Sequence, residues 1–72
     1  MNVLMWEVKA AEQRCDDLVS YVLEHADPSA EVYRSADNRV VVIDPSGHGL
    51  PEVPADLVGR APHVWAFEPV PR

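Results

Sequence analysis

A chain of 72 residues has room for one domain, and at that size its core is marginal: only about 60% of the unfolded chain's surface leaves water on folding. Twelve acids against six bases give a net charge of −6, and the bases (Lys9, Arg14, Arg34, Arg39, Arg60, Arg72) are scattered, which argues against nucleic-acid binding. Cys15 is the only cysteine, so no intrachain disulfide can make up the deficit, and a partner subunit is the natural substitute.

The first apolar run, Val3–Trp6, has no basic stretch ahead of it and is interrupted by Glu7 and Lys9. It reads as a strand continuing to Val8 and not as a secretory signal. No stretch approaches the roughly 20 apolar residues of a membrane helix. The expectation is a soluble, cytoplasmic protein that does not engage membranes. Leu4, Trp6 and Val8 point to one side of this strand, Val3 and Met5 to the other.

A helix is predicted over Glu12–Ala26. Ala11, Cys15, Leu18, Val19, Val22 and Ala26 form a stripe at spacings of three and four. Acids near its start and His25 near its end suit the helix dipole, and Asp27-Pro28 stops it. Two strands follow, Glu31–Ser35 and Val40–Ile43, joined by a turn at Ala36–Asn38. The run Val40-Val41-Val42-Ile43 is wholly β-branched and apolar on both faces, as a central strand is. The segment from Pro45 to Pro62 is predicted as a long connection, with a turn at Ser46–Gly49 and about one helical turn at Pro54–Val58 ended by Gly59. A last strand, His63–Phe67, runs toward Pro69 and suits an edge. The tail, Glu68–Arg72, reads as extended polyproline-like chain.

That order is the split βαβ pattern. It predicts an α+β fold: a four-stranded antiparallel sheet with the first and third strands central, one long helix and a shortened second helix, all in one domain. Two apolar sheet faces share a single full helix. The uncovered face is expected to pack against a second copy, sheet to sheet, in a homodimer.

The strand Val3–Val8, the acidic helix Glu12–Ala26, the hairpin Glu31–Ile43 and the terminal strand with Trp65 and Phe67 together resemble the dimeric α+β barrel superfamily, which includes antibiotic-biosynthesis-monooxygenase-like proteins. The resemblance is one of pattern over nearly the whole chain, without a signature motif. It implies two protomers packed sheet to sheet, with a ligand pocket between helices and sheet inside each. Some members of that group are cofactor-independent oxygenases on polycyclic aromatic substrates, some degrade haem, and many have no known activity. The shortened second helix departs from the pattern and argues against a roomy pocket and against oxygenase activity.

The candidate pocket residues are Trp6, Tyr33, His63 and Trp65: two large apolar walls and two polar groups able to meet an aromatic ligand. Core and interface packing is the competing role for both tryptophans. His25, His48, His63 and Cys15 match no compact metal-ligand spacing, and Cys15 falls on the apolar stripe. Ser46-Gly47-His48-Gly49 lacks the lysine of a phosphate loop. Asp16, Asp17 and Glu12 read as a solvated helix face. No metal and no cofactor are expected. The sequence therefore points to a small homodimeric ligand-binding or accessory protein, with a small aromatic ligand. A cofactor-independent oxygenase or cyclase using Tyr33, His63 and Trp65 is one alternative. An interaction module that docks a partner through its tail or a sheet edge is the other.

Overall fold

The structure is a computed structural model and describes residues 2–72; Met1 lies outside the described residues. Its elements are β1 (Val3–Lys9), α1 (Cys15–His25), β2 (Glu31–Arg34), β3 (Arg39–Asp44), a 3-10 turn at Ala55–Leu57, and β4 (His63–Phe67). The four strands form one sheet in the order β2-β3-β1-β4. Every neighbouring pair is antiparallel. The doubly apolar strands β1 and β3 sit in the centre, and the mixed strands β2 and β4 form the edges, as their compositions predict.

Alternation along the strands sorts side chains between two faces. Trp6 and Val8 of β1 and Val40 and Val42 of β3 are buried together with Leu18 and Val22 of the helix. The helix stripe thus packs on this face, with Cys15 and Val19 half-buried at its margin. On the other face, Met5 stands opposite both Ile43 and Trp65, and Val41 opposite Tyr33. Among the described residues no helix lies on that side, and Tyr33, Trp65 and Phe67 are 52%, 42% and 50% exposed.

The helix begins at Cys15, three residues later than the stripe predicts. Gln13 takes a left-handed conformation, φ 62°, which no helix can include, and the Arg14 amide closes a turn onto the Ala11 carbonyl. At the other end Ala26 is already extended, ahead of Asp27-Pro28. The β2–β3 hairpin turns at Ala36–Asn38 as expected: Asn38 supplies the left-handed residue (φ 67°), and the Ser35 amide donates to the Arg39 carbonyl.

The second helix is reduced to the 3-10 turn Ala55–Leu57. Pro51 and Pro54 remove amide donors that a longer helix here would need. Leu57, 7% exposed, still plugs the core, and the chain then runs beside β1, with Ala10 bridged to Val58.

Leu18 is fully buried between helix and sheet, whereas Leu23 on the same helix is 64% exposed. Leu18→Ala should cost about 2–5 kcal/mol, and Leu23→Ala no more than about 0.5 kcal/mol. Urea unfolding of both variants checks this; equal losses would mean that the helix is seated on another face.

Candidate functional site

The helix lies over β2 and β3 through its buried Leu18 and Val22, and an exposed ion pair spans the margin, Arg34 Nη1 on β2 reaching Asp16 Oδ1 on the helix at 2.7 Å. The β1–β4 half of the same face is left to the connection between β3 and β4. That connection does not fill the space. A pocket of about 360 Å³ opens between sheet and connection, with Leu4, Trp6, Val42 and Val64 as its floor, Ala26 at the end of the helix, and Leu50, Pro51 and Val53 as its outer wall. The volume falls at the small end of ligand-sized cavities, roughly 300–1,000 Å³.

Asp44, at the end of β3, is the buried polar group in this wall, 3% exposed. Its Oδ1 accepts from the Ser46 amide at 2.9 Å and the Ser46 hydroxyl at 2.5 Å, and its Oδ2 accepts from the Gly49 amide at 2.8 Å. Burial pushes the carboxyl's pKa up, but the Ser46 hydroxyl and the Gly49 and Ser46 amides outweigh it, and the net shift is downward. Asp44 therefore carries its charge inside an apolar wall.

The same bonds shape the loop. The reverse turn runs Asp44–Gly47, closed by the Gly47 amide on the Asp44 carbonyl, two residues earlier than the predicted turn at Ser46–Gly49. Gly47 and Gly49 both adopt positive φ, 74° and 75°. A Cβ on Gly49 would stand 3.3 Å from Leu4 Cδ1, so glycine there lets the loop close on the sheet.

Two further contacts hold the outer wall. The Tyr21 hydroxyl on the helix donates to the Glu52 carbonyl at 2.9 Å. His48 Nδ1 lies 3.4 Å from Asp27 Oδ2. The Ser29 hydroxyl and amide, with a smaller contribution from His48, hold the Asp27 carboxyl below the usual range.

The four candidate pocket residues divide between the two faces. Trp6 lines the pocket. Tyr33, His63 and Trp65 stand on the open face, because Trp65 is paired with Met5 and Trp6 with Val64. They share no cavity with Trp6. His63 and Trp65 lie side by side there, ring centroids 5.6 Å apart. His63 is opposite Glu7, and Arg39 Nε stands 3.1 Å from Glu7 Oε2 as an ion pair without hydrogen-bond alignment. His25 stacks on Tyr21 at 4.2 Å. Among the described residues, no three His, Cys, Asp or Glu side chains gather as metal ligands would, and no helix is long and apolar enough to cross a membrane.

Asp44 and Tyr21 are the site residues that the periodicity misses. Asp44-Pro45-Ser46-Gly47 carries a usable signal, since aspartate before Pro-Ser is a side-chain-capped turn. Tyr21 lies beside the apolar stripe with nothing in the sequence to mark its distant acceptor.

The geometry defines a small α+β domain, with a four-stranded antiparallel sheet and one helix, compatible with a ferredoxin-like fold. No family model, curated protein or solved structure matches the chain.

Asp44→Asn keeps the shape but turns an amide NH₂ or a weaker acceptor toward three donors. It should cost about 1–3 kcal/mol at neutral pH. The native carboxyl titrates below its unfolded value, so its stabilisation is complete above the ordinary carboxylate range, about pH 4, and is lost as pH falls through the lowered value. Denaturation midpoints of the two proteins should therefore converge on acidification; a gap that stays constant into acid would remove the charge from the explanation.

Proposed function

We propose that this domain binds a small, largely apolar ligand in the pocket between Trp6 and Leu50, and that two copies associate through their open sheet faces. The pocket is the observation that carries the first part. A small domain gains stability by closing its core, yet here Leu4, Trp6, Val42 and Val64 are left around an unfilled space of about 360 Å³. An apolar space of ligand size with a few fixed polar groups is the usual form of a binding site.

The second part rests on the open face. Met5, Tyr33, Val41, Ile43, Trp65 and Phe67 form an apolar surface reaching all four strands, bordered on the same face by Glu31, His63 and the Glu7–Arg39 ion pair. Patches of that kind mark association sites, and a twofold sheet-to-sheet contact would place each face on its own copy. This is the arrangement of the dimeric α+β barrel proteins that the element order resembles. Trp6 serves as ligand wall in this reading, and Tyr33, His63 and Trp65 serve the subunit contact. The role is binding or accessory. No group among the pocket lining residues is set as nucleophile beside a base, and the three residues of the oxygenase reading face away from the ligand.

Two measurements test the parts separately. Sedimentation at micromolar concentration should give twice the chain mass, and Met5→Asp or Val41→Asp should shift it to monomer, because an unpaired charge would be buried in the contact. A wild-type monomer that melts cooperatively would end the dimer reading. In a Trp65→Phe background, where Trp6 is the remaining tryptophan, at least one of a series of small aromatics of differing charge (phenethyl alcohol, phenethylamine, phenylacetate) should change its emission saturably. A non-saturating response across the series would end the pocket reading.

A further inference from the structure

The pocket pairs two unlike features on one sheet face. Trp6 is directly opposite Val42, and Asp44 is two residues further along the same strand, so the two are diagonal neighbours on the helix side of the sheet, roughly 7 Å apart. Both line the cavity. A tryptophan ring and a buried carboxylate over one apolar space form the combination that recognises a positive charge attached to an apolar body. The ring attracts a cation through its quadrupole, and the carboxylate attracts it through charge and a charge-assisted hydrogen bond.

The three donors on Asp44 do not exhaust it. An ionised carboxylate offers about four lone-pair sites, and three are taken, two of them on Oδ1 and one on Oδ2. Those three donors also keep the group charged, since they require an acceptor. Further negative charge surrounds the site. Glu52 is among the lining residues, and Asp27 lies close enough to act on the Asp44 carboxyl by repulsion. His48, the nearby imidazole, lies against Asp27 on the outside of the loop with its side chain 77% exposed. No lysine or arginine is among the lining residues, so an anionic ligand would meet uncompensated repulsion in a medium where charges are weakly screened.

We infer that the ligand of this pocket is a cation: a compact apolar or aromatic body bearing one ammonium or amidinium group, with the body against Trp6 and Leu50 and the charged group toward Asp44. The inference rests on the proposed pocket function and names the chemical class of its ligand.

Three isosteric probes separate the possibilities: phenethylamine, phenethyl alcohol and phenylacetate, each titrated into wild type and into Trp65→Phe, with Trp6 emission and amide chemical shifts as readouts. The amine should bind about tenfold or more tighter than the alcohol, and phenylacetate more weakly than either. That preference should persist when salt is raised from about 0.15 M to about 0.5 M, because a partly buried pair is screened less than surface charge. Equal affinity of amine and alcohol, or binding of phenylacetate as tight as the amine, overturns the cation assignment while leaving the pocket reading intact. An amine preference that vanishes at the higher salt assigns the effect to the protein's diffuse net charge and equally overturns it. Failure of all three probes to saturate removes the pocket reading itself, and the ligand class with it.

Discussion

A helix is about 10 Å across with its side chains, and neighbouring strands are about 4.8 Å apart. One helix therefore covers two strands, and this sheet has four. From that mismatch of widths the rest of the structure follows. The helix settles on β2 and β3, where Leu18 and Val22 meet Val40 and Val42. The β1–β4 half of the face passes to the chain between β3 and β4. Among the described residues nothing covers the opposite face. The apolar space beside Trp6 and the apolar surface around Met5 and Trp65 are two results of one shortage.

The connection meets its share of that shortage with fixed points in place of a helix. Leu57 fills the lower core, and the backbone at Val58 extends the sheet by one bridge to Ala10. Asp44 gathers Ser46 and Gly49, and Tyr21 holds the Glu52 carbonyl. Between these points the chain passes over the sheet without packing down on it, which leaves the pocket beneath. A regular second helix would present a continuous ridge of side chains to Leu4 and Val64 and would close it. The prolines that prevent that helix are, in this sense, what shape the pocket.

The sheet was legible in the sequence because its signals are local. β-branched residues and the absence of charge mark β3 as central, and alternation separates Leu4, Trp6 and Val8 from Val3 and Met5 without reference to any other strand. The late start of the helix was not legible, since a left-handed glutamine at position 13 leaves the apolar stripe unchanged. The division of the candidate pocket residues was hidden for a different reason. Parity assigns sides within a strand, but which side of β4 matches which side of β1 depends on register, and register across an 18-residue connection is set by how the loop folds. Trp6 and Trp65 look equivalent as sequence and are on opposite faces as structure. The α+β class and strand order are thus written in residue type, while the composition of the site is written in long-range pairing.

β4 has one feature with consequences for how the molecule moves. Every residue of His63–Phe67 is exposed, on both faces, and its ladder has a partner on one side alone. Like β2 it is an edge strand, and exposed edges of a sheet belong to the low-stability end of a fold, where local opening precedes global unfolding. Amides there would exchange with solvent through local fraying, well before global unfolding. Because Val64 is part of the pocket floor, each such excursion takes away one wall of the cavity from the side opposite the loop. The cavity would then open through its floor, on the side away from the connection.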